Sequence, residues 1–505
     1  MLQIQNCTLL HTKDGHQLMD SFSMTANPGD KIVLIGEEGN GKSTFLKWIY
    51  DPQNIQSYIE YHGQCIHTNE RLAYLPQQLP PHDQNLTIYA YFCESDAFWD
   101  LQTKMGKYAK TLGLPADLPF RDQSMATLSG GEKVKVQLLR LLLEEPTCIL
   151  LDEPSNDLDI DTLEWLESWI RSYPGILLFI SHDETLIENT ANRILHFEQL
   201  KKKTQPKITL FKGNYATYLQ MRQRAFDRQK QQAQEQRKEK KQRDARFQRI
   251  QQKVEYAQNT ISRQDAHGGQ LLKKKMHAVK SLEHRFEKVD ANMLEIPEQE
   301  EAIRWMWMDP TPIPTNKQII HLHLDRLETN RILANDLDLS IVGPEKVCII
   351  GKNGAGKSTL LKRIYAQLTI RDDLVVAYMP QNYADQMAFE QTPVAFLRTY
   401  SSNLTMIRNG LAALKFTREE MEHALNDLSQ GQLAKCFLLA MGLKQANVLI
   451  LDEPTRNLSP LSNPLIRSMF QQFPGTIISV SHDRKYISEV CDTVYVLDEH
   501  GLTKK

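Results

Sequence analysis

Short runs of apolar residues recur along both halves of the chain, and most of them end in a glycine-rich or acidic segment. Continuous apolar runs of this length are typical of strands that are buried on both faces of a parallel sheet. Stretches with helical spacing follow several of these runs. We therefore predict an α/β fold that contains parallel sheets. The runs are 31–35, 148–151, 176–180, 347–350 and 449–451.

The middle of the chain has a different pattern. From Asn214 to His267 there is neither glycine nor proline, Gly268 and Gly269 interrupt the segment, and the next helix breaker is Pro297. Apolar residues recur there at steps of three and four, which predicts two long antiparallel helices packed along one seam, with a tip near 258–270. The seam residues are Phe247, Ile250, Val254, Leu272, Met276, Val279, Leu282, Phe286, Val289 and Met293.

The helical segment carries most of the positive charge imbalance. Residues 221–288 contain 19 Lys and Arg against 8 Asp and Glu, whereas the whole chain contains 60 against 62. The remainder is therefore acidic. A solvated charged spacer is one interpretation of such a run. A one-signed excess in an otherwise acidic protein favours the other interpretation, a surface for a polyanion such as nucleic acid.

A glycine loop between a strand and a helix occurs twice, once in each half of the chain. The arrangement of strand, glycine loop, Lys-Ser-Thr and helix is that of the phosphate-binding P-loop. Lys42 can reach the β- and γ-phosphates of a nucleotide, and Ser43 can ligate Mg²⁺. The candidate phosphate-binding residues are Gly36, Gly39, Asn40, Gly41, Lys42, Ser43 and Thr44, and Gly351, Asn353, Gly354, Gly356, Lys357, Ser358 and Thr359.

Two further segments place catalytic residue types at the ends of predicted strands. The run that ends in Asp152 and Glu153 can hold Mg²⁺ through the first carboxylate and polarise an attacking water with the second. His182 closes the next strand and is a candidate γ-phosphate sensor. The second copy has Asp452, Glu453 and His482, each 300 residues later. This regular offset indicates an internal duplication of one domain.

The order of these motifs resembles the ATP-binding cassette (ABC) ATPase family. That resemblance adds a glutamine loop at Gln77 and Gln381, and a signature at Ser129-Gly130-Gly131 and at Ser429 with Gly431. It implies that two cassettes pair head to tail, so that Lys42 would share its ATP with Ser429, and Lys357 with Ser129. The implied catalytic residues are Glu153, Glu453, His182 and His482. The implied Mg²⁺ ligands are Ser43, Gln77, Asp152, Ser358, Gln381 and Asp452.

The second copy departs from the family pattern at its signature. Gln430 stands where the first signature glycine is usual, and Gln432 where a Glu is usual. The segment 455–460 also lacks the common His-Leu-Asp run. A side chain at Gln430 would stand where backbone approaches a phosphate, so we expect two unequal ATPase sites. The residue that stacks on adenine is not evident, and His11 is a poor candidate.

Composition narrows the kind of cassette protein. No apolar run reaches the length of a membrane span, and no signal peptide is visible, which argues against a transporter and against export. Seven scattered cysteines predict a reduced, cytoplasmic protein without a zinc site. A coiled coil inside a single cassette, as in DNA-tethering SMC ATPases, does not fit either. We predict domains at 1–212, 213–297 and 298–505.

Tandem cassettes joined by a helical hairpin resemble the ABC-F family over essentially the whole chain. The resemblance implies a monomer without a membrane subunit that binds the 70S ribosome at its E site. The hairpin would then point at the P-site tRNA and at 23S rRNA of the peptidyl-transferase centre. The segments 430–432, 456–460 and 268–276 are similar to the subgroup that confers antibiotic resistance. The expected RNA contacts near the tip are Arg263, Lys273, Lys274 and Lys275.

For that subgroup the resemblance implies displacement of lincosamides, pleuromutilins and group A streptogramins. The alternative is a translation factor of the same family that regulates elongation without displacing a drug. Such factors often carry an extra arm in the first cassette. Gln77 and Ser129 are too close in sequence to accommodate one, which favours the resistance interpretation.

Overall fold

The computed structural model divides the chain into two compact units. One comprises Met1–Tyr215 with Glu300–Lys505, and the other Ala216–Gln299. The residues that the structure describes are 1–13, 15–67, 70–95, 104, 108, 110, 112–115, 117–200, 205–260, 266–291, 312–329, 331–383 and 386–505.

The first cassette is built on two sheets. A six-stranded sheet has the order β5-β6-β7-β3-β8-β9, parallel except for β9, and a three-stranded antiparallel sheet has the order β2-β1-β4. The strands are β1 (Leu2–His11), β2 (Gln17–Ala26), β3 (Lys31–Gly36), β4 (Ile59–Ile66), β5 (Leu72–Leu75), β6 (Cys148–Asp152), β7 (Ile176–Ile180), β8 (Arg193–Leu200) and β9 (Gln205–Lys212).

Helices of the first cassette flank these sheets. The α-helices are Lys42–Tyr50, Pro81–Gln84, Ile88–Cys93, Gly130–Leu143, Ile160–Ser172 and Glu184–Thr190. The 3₁₀ turns are Pro52–Ile55, Leu118–Phe120 and Met125–Thr127.

The second cassette repeats the six-stranded sheet with the order β13-β14-β15-β12-β16-β17 and has a two-stranded antiparallel sheet, β10-β11. The strands are β10 (Lys317–Glu328), β11 (Ile332–Gly343), β12 (Lys346–Ile350), β13 (Val376–Met379), β14 (Val448–Asp452), β15 (Thr476–Val480), β16 (Thr493–Asp498) and β17 (Gly501–Lys504). The helices are Lys357–Leu368, Pro393–Arg398, Leu404–Ala413, Gln430–Leu443, Asn463–Gln471 and Arg484–Val490, with a 3₁₀ turn at Leu425–Asp427.

The central strands explain why the sequence shows continuous apolar runs and not alternation. Every residue of β3, β6, β7, β14 and β15 is buried, as expected for parallel strands that are covered on both faces. The predicted α/β fold with two P-loop domains is confirmed. The ends of β3, β6 and β7 lie at one edge of the sheet, which brings the three motif segments of each cassette together.

The two cassettes contact each other through ion pairs that are removed from the P-loops. Arg467 Nη1 lies 2.6 Å from Glu184 Oε1, with side-chain exposures of 4% and 3%. Arg484 pairs with Glu167, and Lys485 lies 2.5 Å from Glu188. In each pair the acid comes from the first cassette and the base from the second.

Two helices account for the described residues of the second unit, Tyr215–Thr260, whose first residue belongs to the first unit, and Ala266–Ala291. The rings of Phe247 and Phe286 pack edge to face with centroids 5.7 Å apart, and Arg243 pairs with Asp290 at 2.5 Å. Arg243 lies four residues before Phe247, whereas its partner Asp290 lies four residues after Phe286. The two helices therefore run antiparallel, as predicted.

The apolar seam of the hairpin is less buried than its pattern predicts. Val279 is buried, but Ile250 and Leu282 are 47% and 37% exposed. The charged neighbours Glu239 and Arg246 line the same groove. Two helices that pack along one narrow seam cover only part of each apolar side chain. Among the described residues, no helix is long and apolar enough to cross a membrane.

Candidate functional site

The first P-loop encloses its lysine in a cage of backbone oxygens. Gly36, Gly39 and Gly41 all have positive φ, which lets the loop curl before the helix begins at Lys42. Lys42 Nζ donates to Gly36 O at 2.9 Å and to Glu37 O at 2.8 Å. Burial lowers the pKa of Lys42, and the surrounding carboxylates oppose that shift.

The second P-loop repeats this arrangement. Gly351, Gly354 and Gly356 have positive φ, and Lys357 Nζ donates to Gly351 O at 2.8 Å and to Lys352 O at 2.9 Å. Burial lowers the pKa of Lys357 as well. In both loops the ammonium group is held by backbone carbonyl oxygens, and phosphates of a bound nucleotide would compete with these oxygens for it.

The hydroxyl after each lysine faces the strand-end aspartate. Ser43 Oγ donates to Asp152 Oδ1 at 2.9 Å, and burial raises the pKa of Asp152. Asp452 accepts a hydrogen bond from Ser358, and its pKa is also raised by burial. A hydroxyl beside a carboxylate offers the oxygen ligands that Mg²⁺ prefers. These two pairs therefore fit a magnesium ion.

Glu153 is surrounded by donors. Gln77 Nε2 donates to Glu153 Oε2 at 2.9 Å, Asn156 Nδ2 donates to the same oxygen at 2.6 Å, and His182 Nε2 lies 3.4 Å from Oε1. Burial alone would raise the Glu153 pKa, but His182, Asn156 and Lys42 lower it to about 2. Glu153 is therefore ionised at neutral pH.

Glu453 lies in a different setting. It accepts from the His482 backbone N–H at 3.2 Å, and His482 Nε2 lies 3.7 Å from its other oxygen. Burial raises the pKa of Glu453 to about 8, and the neighbouring Asp452 adds to the shift. Burial lowers the pKa of His482 to about 4, helped by the charge of Lys357. Burial therefore favours the protonated form of Glu453, in contrast to Glu153.

Both glutamates are held in strained backbone. Glu153 has φ 50° and Glu453 has φ 55°, in the left-handed region that residues other than glycine seldom adopt. Strain of this kind persists only where the surrounding structure enforces it, and such residues cluster at functional sites.

The signature serines begin helices in both cassettes. The Ser129 side chain caps the helix Gly130–Leu143 in a capping box with Glu132. Ser429 caps Gln430–Leu443 in the same way, with Gln432 in place of the glutamate. Gln432 also donates to Glu420 Oε1 at 2.8 Å. The replacement of the usual glutamate by Gln432 therefore leaves the helix start intact. The side chain of Gln430 is exposed to solvent.

One cavity of about 830 Å³ lies between the second P-loop and the first signature. Ser129 and Gly130 line one side, and Gly354, Lys357 and Ser358 line the other. Gln381, Asp452, Glu453 and His482 also border it. Asn353 Nδ2 donates to the carbonyl oxygen of Asp157 across the interface, and Arg456 Nη2 lies 2.9 Å from Asp157 Oδ1.

At the opposite pairing, between the first P-loop and the second signature, side chains of the protein cross the interface. A crevice of about 30 Å³ there is bordered by Glu37, Glu38 and Ser429. Oε2 of Glu38 accepts from the backbone N–H of Gly431 at 2.6 Å. His182 Nδ1 lies 2.8 Å from the carbonyl oxygen of Leu458 in the second cassette. Since a carbonyl only accepts, Nδ1 carries a proton.

Three residues at these sites escape sequence reasoning. Tyr74 donates to Asp152 Oδ2 at 3.0 Å, although the glutamine loop draws attention only to Gln77. Arg331 borders the large cavity beside Gly354 and offers a planar group for an adenine ring. Glu38 has no acidic counterpart in the second P-loop, where Asn353 stands at the equivalent position. An alignment of the two glycine loops shows this difference in charge, which is the feature of the sequence that could have identified Glu38.

Three of the four RNA-contact candidates of the hairpin lie among the described residues. Lys273, Lys274 and Lys275 are exposed on the helix Ala266–Ala291. Arg263 lies outside the described residues. His11, considered for adenine stacking, packs near Tyr58 with ring centroids 6.5 Å apart.

Comparisons with known proteins agree with this geometry. The family described as ABC transporter matches residues 19–156 and 334–456. The chain is 28% identical to the ribosome protection protein VmlR of Bacillus subtilis, over 94% of this chain and 83% of that protein. It is 27% identical to the energy-dependent translational throttle protein EttA of Haemophilus influenzae, over 96% and 90%.

Further matches extend along the whole chain. The ATP-binding protein Uup of Buchnera aphidicola is 26% identical, over 99% of this chain and 81% of Uup. Among solved structures, the archaeal ribosome recycling factor aABCE1, in complex with the stalk protein aP1, is similar with a TM-score of 0.59. It is 16% identical, over 99% of this chain and 90% of that one, which shows a shared fold. The relatives support the ABC-F branch. The chain belongs to the ABC transporter family, as an ATP-hydrolysing protein with two tandem cassettes.

Proposed function

We propose that this protein is an ABC-F factor that binds the ribosomal E site in its ATP-bound form and displaces antibiotics from the peptidyl-transferase centre. The drug classes are lincosamides, pleuromutilins and group A streptogramins. The observation that carries the proposal is the combination of two composite ATP sites with a basic helical hairpin in one chain. Relatives that match nearly its whole length, among them a ribosome protection protein, support it.

The ATP chemistry follows from the residues at each composite site. Lys42 and Lys357 bind phosphates, and the signature serines approach the same nucleotides from the other cassette. Glu153 and Glu453 polarise the attacking water, and His182 and His482 contact the γ-phosphate. When bound, Mg²⁺ would neutralise phosphate charge, held by Ser43 and Asp152 or by Ser358 and Asp452, with Gln77 and Gln381 as further ligands.

The hairpin supplies the contact with RNA. Residues 213–297 form the linker between the cassettes, and their basic excess matches a phosphate backbone. Lys273, Lys274 and Lys275 would grip 23S rRNA or the P-site tRNA close to the tip, and Arg263 would join them. Phosphate contacts position a protein without specifying a sequence, so residues at the tip carry any specific effect. Such a partner also implies a cytoplasmic location.

A translation factor without drug displacement is the second candidate. The match to an energy-dependent translational throttle protein, as close as that to VmlR, favours it. Both functions need ATP-dependent ribosome binding, so only drug occupancy separates them.

The experiment uses Glu153→Gln with Glu453→Gln, which should bind ATP without hydrolysing it. We expect this double variant to cosediment with 70S ribosomes only when ATP is present, and to lower the amount of radiolabelled lincosamide bound to them. ATP-dependent binding that leaves the drug in place would support the translation factor instead.

Two controls make the result specific. Adding Lys42→Ala and Lys357→Ala should abolish binding, since no nucleotide is held. Adding Lys273→Glu, Lys274→Glu and Lys275→Glu should weaken binding and flatten its salt dependence, because fewer counterions are released. Absence of ribosome binding by the double variant at low salt would refute both candidate functions.

A further inference from the structure

The two P-loops differ in charge at the same two positions. The first has Glu37 and Glu38 after its leading glycine, and the second has Lys352 and Asn353. The rest of each loop has the same glycine positions and the same lysine cage. The acidic pair is therefore a specific feature of the Lys42 site.

The Glu38 carboxylate lies at the start of the second signature helix. Its Oε2 accepts from Gly431 N–H at 2.6 Å, a short, charge-assisted hydrogen bond. A Cβ at Gly431 would stand 3.3 Å from that oxygen and 2.7 Å from the carbonyl oxygen of Asn457, so the approach requires glycine. The helix start binds anions through free N–H groups, and here a side chain of the protein supplies the anion.

The partners of Glu37 reinforce the contact. Glu37 Oε1 lies 3.9 Å from Lys415 Nζ and 4.0 Å from Lys435 Nζ, both of which belong to the second cassette. The carboxylates of Glu37 and Glu38 also act on Lys42, together with Asp152 and Glu153. The acidic pair thus bridges the cassettes at the place where a nucleotide would do so.

At the Lys357 site the residue equivalent to Glu38 is Asn353, which makes a different contact with the opposite cassette. Asn353 donates to the backbone oxygen of Asp157 and carries no charge. A cavity of about 830 Å³ lies between Lys357 and Ser129 at that site. At the Lys42 site the Glu38 carboxylate instead occupies the backbone N–H of Gly431 in the opposite signature.

We propose that Glu38 is an internal competitor of the ATP γ-phosphate at the Lys42 site, so that the Lys357 site loads ATP first. ATP at the Lys42 site has to displace the carboxylate from Gly431 before the signature can contact the nucleotide. The inference rests on ATP binding by the two cassettes and is independent of the ribosomal partner.

The size of the effect follows from the hydrogen bond. A competing contact to a charged group of this kind weakens the apparent affinity of the ligand by about tenfold or more. ADP has no γ-phosphate, so it does not compete for Gly431 N–H. A plain repulsion by the acidic loop would instead weaken both nucleotides, in proportion to their charges. The ratio of ATP to ADP affinity therefore distinguishes competition from repulsion.

The test is equilibrium dialysis of radiolabelled ATP and ADP against the full-length protein. We expect two ATP sites in the wild type, with the weaker one at Lys42. Glu38→Asn, which copies the second loop, should tighten the weaker step about tenfold and change ADP binding much less. The reciprocal Asn353→Glu should weaken the tighter ATP step.

Each result of the nucleotide-binding measurements either supports or overturns competition by Glu38. The proposal would be overturned if the affinity of the weaker ATP step stays unchanged in Glu38→Asn, or if ATP and ADP gain affinity only in proportion to their charges. Glu38→Gln removes the charge with little change of shape and provides the same readout if Glu38→Asn does not fold, which thermal melting would reveal. Lys42→Ala should eliminate the weaker step and so identifies it. Loss of the tighter step instead would also overturn the loading order.

Discussion

At the Lys42 site donors around Glu153 outweigh burial and lower the pKa of this glutamate to about 2, and Glu38 occupies the Gly431 N–H of the opposite signature. At the Lys357 site a cavity lies between the P-loop and the opposite signature, and burial raises the pKa of Glu453 to about 8. Identical motifs therefore do not imply identical chemistry.

The contrast at the glutamates has a local cause. Asn156 is close enough to donate to Glu153 at 2.6 Å. Its counterpart, Arg456, extends across the interface to Asp157 instead. One substitution in the loop after the strand therefore removes a donor from one glutamate and adds an ion pair between cassettes.

The largest expected effect comes from breaking the interface that both sites share. Arg467→Ala leaves the buried Glu184 without its main partner, which should lower the free energy of unfolding by about 3–5 kcal/mol and impair ATPase activity at both sites. Chemical denaturation and steady-state ATPase assays would measure this.

Two variants serve as controls for that experiment. Arg121→Ala disrupts an exposed pair with Asp117 and should cost about 1 kcal/mol or less. Arg467→Met with Glu184→Leu replaces the pair by apolar groups and should recover most of the stability. A loss for Arg467→Ala no larger than that for Arg121→Ala would contradict a stabilising role for the buried pair.

The second prediction separates the glutamates by pH. In Glu153→Gln only the Lys357 site turns over, and Glu453, with a pKa of about 8, must lose its proton to act as a base. Its kcat/KM should therefore rise about tenfold between pH 7 and pH 9. In Glu453→Gln the active base is Glu153, with a pKa of about 2, so kcat/KM should show no such rise. Parallel pH profiles would remove the electrostatic distinction between the sites.

The smallest effect concerns the unusual signature glutamine. Gln432→Glu restores the residue typical of the family but places a second carboxylate beside Glu420, which now accepts a hydrogen bond from Gln432. We expect a loss of about 1 kcal/mol of stability, measured by thermal melting, because a hydrogen bond is replaced by repulsion. Adding Glu420→Gln should reverse the loss. A gain in stability from Gln432→Glu alone would show that the glutamine is the poorer cap.

The sequence was sufficient for the fold because burial on both faces leaves a continuous apolar signature in β6, β7 and β14. The P-loops and signatures are equally predictable from the sequence, since their glycines and cap residues follow from backbone geometry. The directions of side chains are not predictable in this way. The sequence does not predict that Asn156 donates to the neighbouring Glu153 while Arg456 pairs with Asp157 of the first cassette. The direction of these side chains depends on contacts with the facing cassette.

The two composite sites also differ at a residue that the departures from the signature motif do not indicate. Those departures are Gln430, which is exposed, and Gln432, which completes the capping box. Glu38, which accepts from the Gly431 N–H, lies in the other cassette. A contact between segments almost 400 residues apart cannot be inferred from either segment alone. Unequal turnover at the two sites stays a prediction.

The ion pairs between the cassettes also determine which domains can associate. Glu167 and Glu184 of the first cassette occupy positions 300 residues before Arg467 and Arg484 of the second, and each glutamate contacts the arginine at the other position. Two first cassettes from separate chains, paired in the same way, would bring glutamate against glutamate at both places, and two second cassettes would bring arginine against arginine. The ion pairs therefore allow a first cassette to pair with a second cassette and disfavour the pairing of two identical cassettes.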